Sequence, residues 1–363
     1  MRHPRDRLRV HQVLCAAGPV DAVTNQGLAC RALFDAWGWP GDDAAAVTAP
    51  GMRRRAMRPL ESFDPPAGDA IVLHYSGYAR RLERLLERPN PMLVISHNIT
   101  PASYFWAYQP IEGLRCSLAV GQLADLARSA TAAAGVSEFN AAELRDAGAR
   151  DVSVIPVLVD RERLGPPADR PPPGPPTILF VGRLAPHKRQ DLVIRAFALY
   201  RREHAPDARL VLVGTPLAQR FEASLRGLAE QLAPGAVTFE TGLPAERLAD
   251  RFRSAHAFLC LSEHEGFCIP LLEAFHFGVP VIARPAGGIG EVVGDAALRV
   301  PQVDGTANGI DLAVVAELLR LAVEDRELAA ELRRRGDGRL EAYAHDRTAA
   351  RLRKAVAALE APA

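Results

Sequence analysis

Arg183 and Lys188 stand five positions apart in ILFVGRLAPHKRQDL, residues 178–192, where an apolar run ends at Gly182 and a helical pattern follows Lys188. Two cations at a strand end beside a helix N-terminus suit a diphosphate. A guanidinium grips phosphate oxygens in pairs, an ammonium acts as a mobile point charge, and the helix start adds unpaired N–H groups. The alternative is a pair of solvated surface cations. Residue usage weighs against it: Lys188 and Lys354 are the two lysines among 44 basic residues. A chain that uses arginine wherever a cation will do has kept lysine at 188. Lys354, in RLRKAVAAL, falls on the expected outer face of the last helix and has no evident task.

A second stretch, SEHEGFCIPLLEAFHFGVPVIARPAGGIGEVV at 262–293, carries Glu265 and Glu273, eight positions apart. Glu265 leads into a turn through Gly266, and Pro270 suits the first turn of a helix that carries Glu273. Ile269, Leu271, Leu272, Ala274, Phe275 and Phe277 surround Glu273 in sequence. A carboxylate in so apolar a segment needs partners. Vicinal ribose hydroxyls are good ones, because a carboxylate can accept from both. The backbone N–H groups of Gly266, Phe267 and Cys268 stand at the helix entry, where anionic or hydroxylated ligands are held. Gly287, Gly288 and Gly290 permit close backbone approach to a ligand, or form an ordinary strand-to-helix turn. His97 follows a buried-looking strand at a carboxyl end and is read as functional. His74 also ends a strand, and its reading is open between an acceptor-side residue and a structural histidine. His264 is read as an exposed neighbour of Glu265, and His187 as a loop residue.

These residues need elements to hold them. In the second half, short apolar runs at Ile178–Val181, Leu210–Val213, Val237–Phe239, Phe258–Leu261, Val279–Ala283 and Ala297–Val300 fit strands buried on both faces. Helical patterns at 189–203, 217–232, 245–254 and 270–277 alternate with them, and a longer helix is expected over 311–335. The first half is noisier. Val10–Leu14, Ile71–His74, Met92–Ser96 and Val152–Val157 read as strands, with helical patterns at 24–37, 78–87, 119–133 and 138–147. Strand–helix alternation implies right-handed β-α-β units in parallel sheets. The proline-rich stretch GPPADRPPPGPP, 165–176, reads as a semi-rigid linker. The expected α/β architecture is two Rossmann-like domains, 1–164 and 177–338, with parallel sheets facing a central cleft. A C-terminal helical segment, 339–363, is free to return to the first domain.

Composition bounds the partners. The chain has 363 residues, 48% hydrophobic and 24% charged, with a net charge of +1, so no single-sign field advertises nucleic acid. Cys15, Cys30, Cys116, Cys260 and Cys268 show neither C-x-x-C nor zinc-finger spacing. A reducing cytoplasm is therefore the expected compartment. The basic N-terminus lacks an apolar core segment of about 7–15 residues, and no stretch approaches the roughly 20 apolar residues of a membrane span. Arg53, Arg54, Arg55 and Arg58 beside Met52 and Met57 read as a solvated arginine loop, with peripheral contact to anionic lipid or an acidic acceptor as the alternative.

The order F-V-G-R-L-x-P-x-K, V-G, S-x-x-E-G-F-x-x-P-x-L-E-A, G-V-P-V-I, G-G-x-x-E-V-V over 177–300 resembles the retaining GT-B glycosyltransferases of family four. LVISHNITP at 93–101 and GVSEFNAAEL at 135–144 resemble the acceptor domain of that family, and HNITP its mannosyltransferase-like subgroup. The resemblance implies roles at matching positions. Arg183 and Lys188 would hold the donor diphosphate, Glu273 the ribose, and Glu265 the donor sugar or its phosphate. The backbone at Gly266, Phe267 and Cys268 would meet sugar hydroxyls. Gly214 and the Gly242–Leu243 turn would border the base, with Gly182 and Gly288 also lining the donor. His97 would lie near the anomeric carbon, with His74 and Asn98 on the acceptor side. Gly18 would approach the diphosphate, although its loop departs from the family's paired glycines. The implied reaction moves a hexose from GDP-mannose or a UDP-sugar to a hydroxyl of a glycan, lipid-linked or small-molecule acceptor, with retention. No DxD-type motif is present, so neither a metal nor a cofactor beyond the nucleotide-sugar co-substrate is expected. An epimerase or hydrolase on the same fold, or a non-catalytic sugar-nucleotide-binding subunit, would use the same diphosphate grip.

Overall fold

The computed structural model describes residues 8–18, 21–49, 52, 57–167, 172, 174–306 and 308–360. The chain forms two compact units: residues 1–103, 111–158 and 344–363 make the first, and 104–110 with 159–343 the second. Arg53, Arg54 and Arg55, and residues 168–171 and 173 of the proline-rich stretch, lie outside the described residues. Arg58, the described arginine of that cluster, pairs with Asp42 at 3.1 Å, and Met57 is buried. Among the described residues no helix is long and apolar enough to cross a membrane.

The first unit is built on strands β1 (Val10–Leu14), β2 (Asp43–Ala45), β3 (Arg58–Pro59), β4 (Ala70–Tyr75), β5 (Met92–Ser96), β6 (Ala132–Gly135) and β7 (Val152–Val154). They form one parallel sheet in the order β3-β2-β1-β4-β5-β6-β7. The central strands β1, β4 and β5 are buried throughout, so the polar side chains they carry, among them Gln12 and His74, need partners within the protein. Strand order reverses between β1 and β4, and ligands bind beyond carboxyl ends at such a point. Leu14 and His74 are paired there, and His74 in turn pairs with Ile95. Asp21 caps the helix Ala22–Ala36 by accepting from the Thr24 N–H at 2.7 Å.

Two expectations in this unit change. The helix expected at 119–133 runs instead over Pro110–Ser129, and Ala132–Gly135 is a strand. Alanines favour helix locally, but pairing with Leu93–Ser96 and with Val152–Val154 overrides that preference. The pattern at 78–87 forms a 3₁₀ segment, Arg80–Leu85.

The second unit carries β8 (Thr177–Val181), β9 (Arg209–Val213), β10 (Val237–Glu240), β11 (Ala257–Cys260), β12 (Val281–Ala283) and β13 (Ala297–Arg299). They pair in parallel in the order β10-β9-β8-β11-β12-β13. Here the order reverses between β8 and β11. The loops leaving these neighbouring strands are the two stretches that carry Arg183, Lys188 and Glu265. Topology therefore juxtaposes residues far apart in sequence. The expected single helix over 311–335 is two, Leu312–Glu324 and Arg326–Ala342, broken at Asp325, whose side chain accepts from the Leu328 N–H at 2.9 Å. The units also redraw the expected boundaries: Val159 onward already belongs to the second unit, and Tyr104–Pro110 joins it from within the first half.

Candidate functional site

In the second unit β8 ends at Val181, and Gly182 turns the chain with φ +154°. Pro186–Lys188 make one 3₁₀ turn, Arg189 adopts a left-handed conformation (φ 53°), and the helix Gln190–Glu203 begins. Gln190 secures the loop by donating its side-chain amide to the Arg183 carbonyl at 2.9 Å. This geometry turns Lys188 inward. Its ammonium pairs with the Glu265 carboxylate, with both side chains largely buried. Burial opposes the charge on Lys188, but the Glu265 carboxylate outweighs it and holds the ammonium above its ordinary range. Arg183 is exposed, and among the described residues its guanidinium has no ion-pair partner. One sequestered cation and one free cation thus leave the same strand end.

The loop after β11 is fixed by a second ionic cluster. Glu263 pairs with Arg189 and, at 2.9 Å, with Arg284, and accepts from the Tyr104 hydroxyl at 3.2 Å. Arg189 also reaches Asp191 at 3.0 Å and Asn308 at 2.8 Å. The Glu263 N–H donates to the His187 carbonyl at 2.8 Å, tying this loop directly to the one that carries Lys188. Sequence reasoning missed Arg189, Glu263 and Arg284. The only signal was adjacency, since Arg189 follows Lys188 and Glu263 precedes Glu265 by two.

Two glycines are required by close backbone approach. A Cβ at Gly214 would overlap the carbonyl oxygen of Gly182, and one at Gly287 (φ +57°) would overlap that of Glu265. The Gly288 N–H donates to that same Glu265 carbonyl at 2.8 Å. Gly287 and Gly288 thus clasp the Glu265 backbone. Gly242 has φ +66° on an exposed turn, with Leu243 half-buried beside it.

Cys268 (φ 74°) precedes the helix Ile269–His276 and gives it no side-chain cap; Pro270 has no N–H and the Leu271 N–H donates to the Cys268 carbonyl at 3.1 Å, so of the first turn the Ile269 N–H is left for another acceptor. Gly266 and Phe267 are buried, and the Phe267 ring packs edge-on against Tyr343 at 5.2 Å. Phe267 therefore has only its backbone to offer a ligand. Glu273 is half-buried and, among the described residues, its carboxylate makes no side-chain hydrogen bond. Burial pushes its pKa up to about 7.

Cys260, Glu265 and Cys268 bring a donor atom each within 4.8 Å of one another. Two thiols and a carboxylate could ligate a thiophilic cation, but it would have to compete with Lys188 for the Glu265 carboxylate. His264 and His187 are both buried, against the expectation of exposure at 264. His187 packs edge-on to Tyr104 and Phe105, and burial followed by the Lys188 charge lowers its pKa, keeping it neutral.

The first unit holds the remaining candidates. His97 follows β5, half-buried, with its backbone N–H on the Tyr75 carbonyl at 2.8 Å. His74 is fully buried. Its Nδ1 meets His97 Nε2 at 3.0 Å and its Nε2 meets Gln12 Oε1 at 2.9 Å. Both ring nitrogens are thus engaged within the protein. Asn98 (φ 88°) accepts from the Asn140 side-chain amide at 3.1 Å, which links the loop after β5 to the helix Glu138–Asp146. The Gly18 N–H donates to Thr24 Oγ1 at 3.0 Å, and a Cβ there would meet only ordinary contacts. Glycine at 18 is thus not demanded by its own packing.

A family model described as Glycosyl transferases group 1 matches residues 166–339. D-inositol 3-phosphate glycosyltransferase of Nocardia farcinica is 34% identical over 215 residues, covering 56% of this chain and 45% of that protein. The GDP-mannose-dependent alpha-(1-6)-phosphatidylinositol monomannoside mannosyltransferase of Mycolicibacterium smegmatis is 36% identical over 155 residues, 40% of this chain and 38% of that one. The chain spans less than half the length of these curated relatives. Among solved structures, sucrose-phosphate synthase of Thermosynechococcus elongatus superposes with a TM-score of 0.75 at 20% identity, over 97% of this chain and 99% of that one. Anabaena HepE in complex with UDP-glucose gives 0.73 at 16% identity, over 96% and 99%. The paired Rossmann-like halves expected from the sequence are therefore the fold observed, of the GT-B type.

Proposed function

Proceeding from a group 1 glycosyltransferase domain at residues 166–339, we propose that the chain transfers a hexose, with retention and without a metal, from a nucleoside-diphosphate sugar to an acceptor hydroxyl. The observation that carries this reading is the pairing of Lys188 and Glu265 from neighbouring loops at the β8/β11 reversal, with Arg183 free beside them. As the bond from the anomeric carbon to phosphate breaks, its electron pair goes to the diphosphate. Arg183 and Lys188 would stabilise that charge, together with the Ile269 N–H at the start of the helix Ile269–His276. The acceptor oxygen bonds the anomeric carbon on the same face, and its proton passes to the departing phosphate oxygen. The name of the Mycolicibacterium smegmatis relative supports GDP-mannose as one donor class, and a UDP-sugar is the other. The acceptor class is a hydroxyl of a glycan, a lipid-linked sugar or a small molecule, and the reading places the chain in the cytoplasm.

A thermal-shift panel of UDP, GDP, ADP and TDP, each with and without its sugar, tests the donor. A ligand at 100 times its Kd adds about 2.7 kcal/mol of stability, and no shift with any of them overturns the nucleotide reading. Transfer is expected to be unchanged in EDTA, and a loss restored by a divalent cation would end metal independence. Quantitative donor consumption without an acceptor would favour a hydrolase.

The ribose role of Glu273 sets a pH dependence. The free carboxyl titrates at about 7 because burial disfavours its charge, while the ionised form is the one that accepts from two hydroxyls. Nucleotide affinity should therefore rise as pH increases through 7, by about tenfold between pH 6 and 8, one pKa unit being a factor of ten. Calorimetry on wild type and Glu273→Gln separates this from titration of the nucleotide itself. The variant should bind weakly, with the protein's share of the pH dependence gone, and equal slopes in both proteins would remove the role.

A further inference from the structure

Five side chains stand in file across the first unit, from Arg31 on the helix Ala22–Ala36 and Asp43 at the start of β2, through Gln12 in the middle of β1, to His74 near the carboxyl end of β4 and His97 just beyond β5. Arg31 donates to Asp43 Oδ1 from Nη2 at 2.7 Å and from Nε at 3.0 Å. Gln12 Nε2 donates to Asp43 Oδ1 at 2.9 Å and to the Gly27 carbonyl at 3.0 Å. Gln12 Oε1 meets His74 Nε2 at 2.9 Å, and His74 Nδ1 meets His97 Nε2 at 3.0 Å. Gln12, Asp43 and His74 are all buried, so water is not available to correct a mismatched donor or acceptor.

The proton positions follow from one end. The Asp43 carboxylate, held by Arg31, and the Gly27 carbonyl can only accept, so the Gln12 amide nitrogen must face them and Oε1 must face His74. An amide oxygen only accepts, so His74 carries its proton on Nε2. Neutral His74 then presents a lone pair at Nδ1, and His97 must supply the proton from Nε2. That leaves the lone pair of His97 on Nδ1, where no hydrogen bond is found among the described residues. Burial, with His74 and His97 also facing one another, keeps both rings neutral.

We propose that Gln12 is a positioning residue that acts through His74 to hold His97 as its Nε2–H tautomer, so that His97 meets a sugar hydroxyl only as an acceptor, at Nδ1. The hydroxyl partner rests on the glycosyltransferase reading, whereas the tautomer does not. With Nδ1 a lone pair and Nε2–H committed to His74, His97 discriminates against an analogue in which the contacted hydroxyl is replaced by fluorine, which cannot donate.

The test is long-range ¹H–¹⁵N correlation of the imidazoles in the ¹⁵N-histidine-labelled full chain at pH 6–8, with His74 and His97 assigned from single His→Gln variants. The expected spectrum has Nε2 protonated and Nδ1 unprotonated in both rings. Nδ1–H on His97 in wild type overturns the proposal without any variant. Gln12→Met keeps length and removes the acceptor. It should give mixed tautomers at His97 and a two- to tenfold lower kcat at little cost in KM, the range of one hydrogen bond. An unchanged His97 signature in folded Gln12→Met also overturns it. Absence of transfer by wild type, with the tautomers as expected, would count against the glycosyltransferase reading and leave the file intact.

Discussion

Lys188→Ala should lower kcat/KM for sugar transfer by a hundredfold or more. A preorganised donor aimed at a developing oxyanion lowers the barrier by about 2.7–4 kcal/mol, and Lys188 is held beside Glu265 in a largely buried site. Deletion does more than remove a cation. It leaves the Glu265 carboxylate without its counter-ion where an anionic diphosphate must lie, so repulsion adds to lost attraction. Folding stability will fall as well, because breaking a buried pair strands the remaining charge. The double change Lys188→Met with Glu265→Gln separates the two effects, since it should recover Tm while transfer stays lost. Lys188→Arg should also transfer poorly, because a planar fork does not occupy the place of a compact ammonium beside Glu265. Single-turnover kinetics check the result, and wild-type transfer by Lys188→Ala would sink the diphosphate assignment.

Gly287→Ala should cost about a hundredfold in transfer although no side chain is lost. The backbone at 287 is left-handed, and a Cβ would overlap the Glu265 carbonyl. Backbone meets backbone there, so no rotamer change relieves it. The expected strain is about 1–3 kcal/mol, and whatever moves takes with it the Gly288-to-Glu265 hydrogen bond and the carboxylate that holds Lys188. A displacement of about 1 Å is enough for a hundredfold loss of rate. Gly290→Ala is the control, because a Cβ there meets Pro285 at an ordinary 3.5 Å. Equal kcat/KM in the two variants would show that the clasp on Glu265 does not matter.

The second unit was legible because its chemistry and its scaffold leave separate marks. Strands buried on both faces read as apolar runs, and Arg183, Lys188 and Glu265 follow such runs directly. Parallel β-α-β topology then brings the strand ends together without further information. The first unit was less legible, since β2, β3 and β6 are short and alanine- or arginine-bearing, and only their neighbours make them strands. Side-chain partners were less legible still. His74 was visible as the end of a strand, but nothing in IVLHYSGY says that both ring nitrogens are taken. Gln12 looked like a polar residue inside a strand. Glu263 and Arg189 had no spacing of their own, because an ion pair over 74 positions depends on which strands are neighbours.

The chain passes between its two units at 103/104, 110/111, 158/159 and 343/344. During synthesis, residues 104–110 emerge long before the unit they belong to. Tyr104 must wait for Glu263, Phe105 for His187 and Tyr108 for Phe221. The first unit waits longer, since the helix His345–Ala357, whose Arg353 lies over Trp37 at 5.7 Å, leaves the ribosome only after the whole second unit. Domains of a nascent chain generally fold in order from the N-terminus. Here the first unit to be begun is the last to be completed, so ribosome-bound chains stopped before 344 should remain protease-sensitive in the first unit.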